Sequence, residues 1–219
     1  MTQATDRPLQ PGDRAPDFVL PAVQSDRMLA LAEYRGRSAL LLALFRGLYC
    51  PFCRRAIAHL ATTAGKLKPM GIETLAVIAT ELENARLYYR FRPIPLPLAV
   101  DPLLTTHRSY GLPRPELTAA LMQQIESFRT DADGELAQPL PFQEAARAMD
   151  RLDRFERTPI DQRDQERQMP QLDGQFLIDR DGIIRWANIE CAKEGVPAGL
   201  GKFPSYGELL TAAQIAAAI

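Results

Sequence analysis

The chain has 219 residues, 26 Lys and Arg against 27 Asp and Glu, three Cys and two His. That length suits one domain with a full core, or one domain carrying an insertion, and the balanced charge with no basic stripe argues against a nucleic-acid or membrane-surface partner. Three cysteines do not make a secreted disulfide framework, and three Cys with two His are a poor basis for a structural zinc site that wants four such ligands.

Residues 1–8 contain no apolar core of the signal-peptide kind, and no run approaches a membrane span. With two of the three cysteines in a C-x-x-C, the expectation is a cytoplasmic protein that uses reduced thiols for chemistry. Residues 11–21 are a proline-punctuated lead-in with a short strand at 18–20, and 28–31 is its candidate hairpin partner. Residues 32–36 read as one turn of helix. The run 39–45 is apolar without alternation, the signature of a strand buried on both faces. Arg46 and Gly47 stop it. Cys50 then stands where an N-cap belongs, and Pro51 takes the first helical position, where its missing N–H costs nothing. Cys53, Ile57, Leu60, Ala64 and Leu67 recur at helical spacing, which predicts an amphipathic helix over 51–68.

A strand therefore delivers one thiol to a helix N-terminus and a second one turn later. A free cysteine titrates near ~8.5, and a helix N-terminus can bring that down to ~3.5–7.5. Arg46, Arg54 and Arg55 add positive charge nearby in sequence. Cys53 is close enough to close a disulfide with Cys50. The expected division of labour is Cys50 as nucleophile and Cys53 as resolving thiol, against the plainer alternative of two small buried hydrophobes. Tyr49, Pro51 and Phe52 flank the thiols and are the expected lining of the substrate approach.

Further on, 71–79 reads as a buried strand, 81–91 as a helix, 93–97 as an extended proline-rich link, and 98–101 as a short strand before a helix ending near Gly111. Strand–helix alternation implies right-handed crossovers and a central sheet. Over 113–169 the pattern changes: Leu117, Leu121, Ile125 and Phe128 mark one helix, Phe142, Ala146, Met149, Leu152 and Phe155 a second, with a turn at 130–134 between them and a polar stretch at 161–168 after them. This reads as a helical insertion, either a surface decoration or dimer contact, or a lid over Cys50. Residues 175–179 and 183–188 meet at an Asp-Gly turn, an antiparallel hairpin signal, and 208–219 form the last helix. Trp186 is expected in the core, and Cys191 is either a distal resolving thiol or a bystander. His59 lies more than two turns from Cys50, and His107 has no supporting motif. The 195–201 loop carries no phosphate-binding fingerprint.

Several stretches share one likeness. G-D-R-A-P-D-F-V-L-P at 12–21, F-R-G-L-Y-C-P-F-C at 45–53, D-P…Y-G at 101–111 and F-L-I-D-R-D-G-I-I-R at 176–185 resemble the peroxiredoxin (AhpC/TSA, redoxin) family of the thioredoxin-like superfamily, in its CxxC-containing subgroup. The resemblance covers about 11–112 and 170–219. It implies one α/β domain over 1–219, a thioredoxin-like fold whose central mixed β-sheet is flanked by helices, with the 113–169 insertion before the closing hairpin. It also implies an antioxidant thiol oxidoreductase with no bound cofactor and no metal, a peroxide or disulfide as substrate, and an external reductant of thioredoxin or glutathione type. A homodimer is left open.

The chain departs from that pattern in places. Typical peroxiredoxins carry Thr or Ser three residues before the reactive cysteine, where this chain has Gly47. They also bring an Arg from just before the F-L-I-D strand, where this chain has Asp173, an acid that would raise a nearby thiol's pKa. Arg46 is the candidate replacement cation. Thioredoxin-type reductases place a cis-proline close before the same strand, and Pro170 stands several residues earlier than that pattern wants. Two other readings stay open. One is thiol–disulfide exchange, since C-P-F-C is similar to the glutaredoxin C-P-Y-C. The other is a non-catalytic metal or iron–sulfur module using the two cysteines as ligands.

Overall fold

The computed structural model describes residues 7–131 and 134–217, with side chains given as far as Gln214. Parts of the expected 130–134 turn (Ala132, Asp133) and of the last helix (Ala218, Ile219) lie outside the described residues. The lead-in forms the expected hairpin of β1 (Val19–Pro21) and β2 (Met28–Ala30), with Leu20 opposite Leu29. The apolar run becomes β3 (Ala39–Phe45), which enters α1 (Pro51–Leu67) through a four-residue link and Cys50. Next come β4 (Ile72–Ile78), α2 (Leu82–Arg90), β5 (Leu98–Val100) and α3 (Thr105–Ser109). The 113–169 segment holds α4 (Ala119–Ser127), a small hairpin of β6 (Arg129–Thr130) and β7 (Leu140–Pro141), α5 (Phe142–Leu152) and α6 (Pro159–Gln168). β8 (Gly174–Ile178), β9 (Ile184–Ile189) and α7 (Tyr206–Ala217) close the chain.

Five strands form one mixed sheet in the order β5-β4-β3-β8-β9. β3 runs parallel to β4 and antiparallel to β8, so it is central and hydrogen-bonded on both edges. Its side chains do alternate, but both faces are apolar. Leu40, Leu42 and Leu44 join a layer with Phe18, Leu29, Tyr110 and Phe176, while Leu41, Ala43 and Phe45 join one with Leu48, Phe52, Ile57 and Leu60. Burying each leucine stabilises the fold by about 1.5–3 kcal/mol. The most buried strand thus anchors the Arg46–Cys50 link. This is the thioredoxin-like arrangement that the sequence resemblance implied.

α1 and α7 pack on the face that holds Phe45. Ser205 caps α7: its Oγ accepts from Glu208 N at 3.3 Å, while its own N–H donates to Glu208 Oε2 at 2.8 Å. Two expectations change. The polar stretch 161–168 is helical; it lacks apolar periodicity because the face of α6 turned inward carries Asp161, Asp164 and Gln168. Trp186 is half-buried on β9 instead of enclosed in the core. Among the described residues, no helix is long and apolar enough to cross a membrane.

Candidate active site

Cys50 is the N-cap of α1, with extended backbone (φ −85°, ψ 108°), and Pro51 follows at the first helical position. Its Sγ accepts the Cys53 backbone N–H at 3.2 Å. The two sulfurs are joined in a disulfide across a Cα–Cα distance of 5.3 Å, so the structure is that of the oxidised form. Once reduced, the Cys50 sulfur keeps its seat on the helix N-terminus, where the oriented N–H groups favour a thiolate. Cys50 is 6% exposed and Cys53 1%. Cys50 is therefore the outer sulfur and Cys53 the inner.

Behind Cys53 lies a buried ionic cluster. Cys53 Sγ is 3.2 Å from Asp173 Oδ2. Arg46 N donates to Asp173 Oδ1 at 2.9 Å, and Arg46 Nη2 reaches Glu190 Oε1 at 2.8 Å and Asp173 Oδ2 at 3.4 Å. Glu190 also accepts from Asp173 N at 3.0 Å and Gly201 N at 2.8 Å. One guanidinium thus faces two carboxyls. Burial pushes Asp173 up to about 8; Arg46 pulls it down, and Glu190 pushes it up again. With Glu190 balancing Arg46, a protonated Asp173 leaves the cluster neutral, and a disulfide sulfur has no hydrogen, so the proton at this contact belongs to the carboxyl. Burial works against the charge on Arg46, but Asp173 and Glu190 beside it overcome that and raise its pKa.

A cavity of about 360 Å³ opens over Cys50. Arg46, Tyr49, Cys50, Pro51 and Phe52 line it from the β3–α1 side; Leu121 and Ile125 of α4, with Phe142 and Ala146 of α5, face them. Phe52 stacks on Phe142 with ring centroids 5.1 Å apart. Pro170, Leu172, Val196 and Leu200 add to the apolar wall, and Arg147, Asp150, Arg157 and Gln165 are among its polar members. Ion pairs hold α5 in place: Arg54 Nη2 meets Asp150 Oδ1 at 2.7 Å and Asp153 Oδ2 at 3.3 Å, and Arg55 Nη2 meets Asp153 Oδ1 at 2.7 Å. The positive charge that the sequence places beside Cys50 in Arg54 and Arg55 is therefore neutralised by the carboxylates of Asp150, Asp153 and Glu135. Arg54 also donates to Leu48 O at 2.7 Å and lies 3.8 Å over the Phe155 ring.

The remaining candidates lie elsewhere. His59 is exposed and lines a different groove. His107 is fully buried, and burial above all pushes it down to about 4, so its ring is neutral. Cys191 is half-buried, its thiol pushed up to about 12 by burial and then by Glu190, which leaves little thiolate at neutral pH. Among the described residues, no group of three or more His, Cys, Asp and Glu is placed to hold a metal ion.

Residues 11–187 match the AhpC/TSA family. The chain belongs to that family. A curated relative from Halalkalibacterium halodurans, the thiol-disulfide oxidoreductase ResA, is 31% identical over 114 residues, 52% of this chain and 62% of its own. The chain thus spans less than two thirds of that relative's length. A protein named as a peroxiredoxin in Mycobacterium tuberculosis is 26% identical over 133 residues, 58% of this chain and 82% of its own. Among solved structures, the peroxidoxin BcpB of Mycobacterium tuberculosis superposes with a TM-score of 0.57 at 13% identity, over 96% of this chain and 98% of that one. That likeness is one of fold.

Within the AhpC/TSA family, the two departures in sequence acquire physical reasons. A Cβ on Gly47 would lie 2.9 Å from Tyr49 Cδ1 and 3.2 Å from Ala79 O, so no side chain fits where the Tyr49 ring lies. Gly47 N donates instead to Gln168 Oε1 at 2.8 Å, and Gln168 Nε2 donates to Ala79 O. Asp173 stands against Cys53, the inner sulfur. Pro170 follows a cis peptide bond and lines the cavity with Cys50, despite its distance in sequence from β8. Glu190 and Gln168 were missed in the sequence: a lone acid past a strand end and an amide in a polar stretch carry no periodic or motif signal.

Proposed function

We propose that this protein is a thiol peroxidase that turns over through the Cys50–Cys53 pair. The observation that carries the reading is the division between the two sulfurs: Cys50 at a helix N-terminus in a small, mainly apolar cavity, Cys53 enclosed behind it against a carboxyl. The Cys50 thiolate attacks one peroxide oxygen, the O–O bond breaks, and the far oxygen takes a proton from solvent water and leaves as alcohol or water, giving the Cys50 sulfenic acid. Asp173 takes the proton of Cys53, whose thiolate attacks the Cys50 sulfur. The S–O bond breaks, the departing hydroxide leaves as water with the proton from Asp173, and the carboxyl, its pKa raised by burial, takes a replacement proton from solvent. An external thiol then attacks the Cys50 sulfur, Cys53 departs and recovers a proton from Asp173, and a second external thiol completes the reduction. Arg46 acts through Asp173 and Glu190, holding both carboxyls in register. Tyr49, Pro51 and Phe52 bound the substrate.

The test is mass spectrometry of reduced protein after a brief hydrogen peroxide pulse, wild type beside Cys53→Ser. Fast closure of the Cys50–Cys53 disulfide in the first, and a trapped Cys50 sulfenic acid in the second, are expected. Oxidation of Cys50 no faster than that of a free thiol overturns the reading. A second reading, thiol–disulfide exchange, is favoured by the Asp173–Cys53 contact, because proton delivery to the inner sulfur is what reduction of a disulfide requires. Its mark is rapid reaction of the reduced pair with a mixed disulfide when peroxide reacts slowly.

A further inference from the structure

The residues on either side of Cys50 are already covered by the chain itself. Phe142, the first residue of α5, stacks on Phe52 with ring centroids 5.1 Å apart. Arg157 Nη2 donates to the Tyr49 carbonyl at 3.4 Å. On the far wall, Ile125 of α4 shares a buried cluster with Leu172 and Leu200. The 113–169 segment thus reaches both flanks of Cys50 and the opposite wall, and the space it leaves is about 360 Å³. That is the lower end of the ~300–1,000 Å³ of small-molecule sites. Cys50 lines this space and Cys53 does not, so the thiol that opens the disulfide at Cys50 enters here. Thiol–disulfide exchange depends on such access as well as on thiolate. A mixed disulfide also draws the two Cα atoms of its cysteines to about 4.4–6.8 Å. A protein thiol would therefore bring its own main chain and surface against 49–52, and even a transient protein contact covers on the order of several hundred Å² on each partner. That surface is taken by Phe142 and Arg157.

We propose that the reductant of the Cys50–Cys53 disulfide is a low-molecular-weight thiol of short-peptide size, and not a protein thiol. The inference rests on the reading of Cys50 and Cys53 as a pair that turns over, and it names the reductant which that reading leaves open. The first RS⁻ forms a bond to the Cys50 sulfur, the Cys50–Cys53 bond breaks, and Cys53 leaves as a thiolate that takes a proton from Asp173. Asp173 recovers a proton from solvent, equal to the one the first thiol released. A second RS⁻ attacks the sulfur of the bound R group, and Cys50 departs as a thiolate. Two RSH are oxidised to RSSR, and the disulfide is reduced by two electrons.

The experiment starts from the oxidised protein and follows disulfide opening by rapid alkylation and mass spectrometry. The reductants are a small folded protein with one surface cysteine and a short peptide copied from around that cysteine, compared at equal thiolate concentration. The peptide is expected to be faster by about tenfold or more. Equal rates overturn the proposal. Glutathione and reduced thioredoxin are then compared in the same way. Glutathione is expected to be at least as fast on wild type, and the ratio of the thioredoxin rate to the glutathione rate is expected to rise about tenfold in Asp150→Ala/Asp153→Ala, where α5 is less firmly held. Thioredoxin outrunning glutathione on wild type overturns the proposal, and so does an unchanged ratio in a folded variant. The wild-type comparisons decide the matter if that variant does not fold. None of these rates involves peroxide: a disulfide that the peptide opens quickly, in a protein whose reduced Cys50 reacts slowly with peroxide, refutes the peroxidase reading and supports this inference.

Discussion

The Asp173 carboxyl shares a closed environment with Arg46, Glu190 and the Cys53 sulfur, and its proton follows from that company. Burial first, and Glu190 further, hold its pKa up to about 8 against the pull of Arg46. An unfolded aspartate titrates near ~3.9. Between those values the folded chain binds a proton that the unfolded chain has released, so the stability this group contributes is present below about pH 4 and is lost as pH rises through about 8. Urea unfolding of the oxidised protein should show stability falling across that window. In Asp173→Asn, which has no proton to lose, the slope should flatten; parallel slopes for the two proteins would refute the assignment. In the sequence, Asp173 is legible as a departure from a family pattern, but not as the neighbour of Cys53. That contact depends on β3 and β8 pairing with Leu44 opposite Gly174, a register fixed over a hundred residues of chain.

At the scale of elements, β3 and α1 are readable because burial follows backbone periodicity: two apolar faces in the strand, one apolar stripe in the helix. α6 hides for the opposite reason. Its inward face is held by hydrogen bonds: Thr80 Oγ1 donates to Asp164 Oδ2 at 2.6 Å, Asn84 Nδ2 to Asp161 Oδ1 at 2.8 Å, and Gln168 bridges Gly47 N and Ala79 O. Its N-terminus is closed reciprocally by Thr158 and Asp161. Composition alone describes such a helix as solvent-facing. Gln168 is the position where this matters for the site, since it ties the end of α6 to the turn that carries Cys50. Gln168→Leu leaves a buried N–H and a buried carbonyl unpaired, and should lower stability by about 2–6 kcal/mol at ~1–3 kcal/mol per group. Equilibrium urea unfolding measures it, and a loss under ~1 kcal/mol would mean that α6 does not anchor the turn.

Across the whole molecule, the 113–169 segment covers the cavity through α4 and α5 and is fastened to α1 by Arg54, Arg55 and the carboxylates of Asp150 and Asp153. The helices themselves were visible from their apolar spacing. Their seat on α1 was not, because it is made by charges that a sequence shows only as surface polarity. Arg54 is almost wholly buried while its two acidic partners are partly open to water, so the fastening is stronger than an exposed ion pair and weaker than a sealed one. Replacing both Asp150 and Asp153 by Ala should favour opening by about 1–2 kcal/mol, roughly tenfold in the open population. Alkylation of reduced Cys50 by a bulky polymer maleimide should then quicken by about that factor, with small iodoacetamide much less affected. Equal rates for wild type and variant with the bulky reagent would show that α5 does not control access.

The interlock of Gly47 with the Tyr49 ring also constrains descent. A side chain arriving at 47 first meets the ring and the Ala79 carbonyl, whereas a smaller residue arriving at 49 first loses buried surface but meets no collision. A lineage moving between this arrangement and one with a hydroxyl at 47 therefore has one passable order of substitutions, with 49 yielding before 47. The same two changes in reverse order run through an ancestor whose Tyr49 ring has been pushed from its seat.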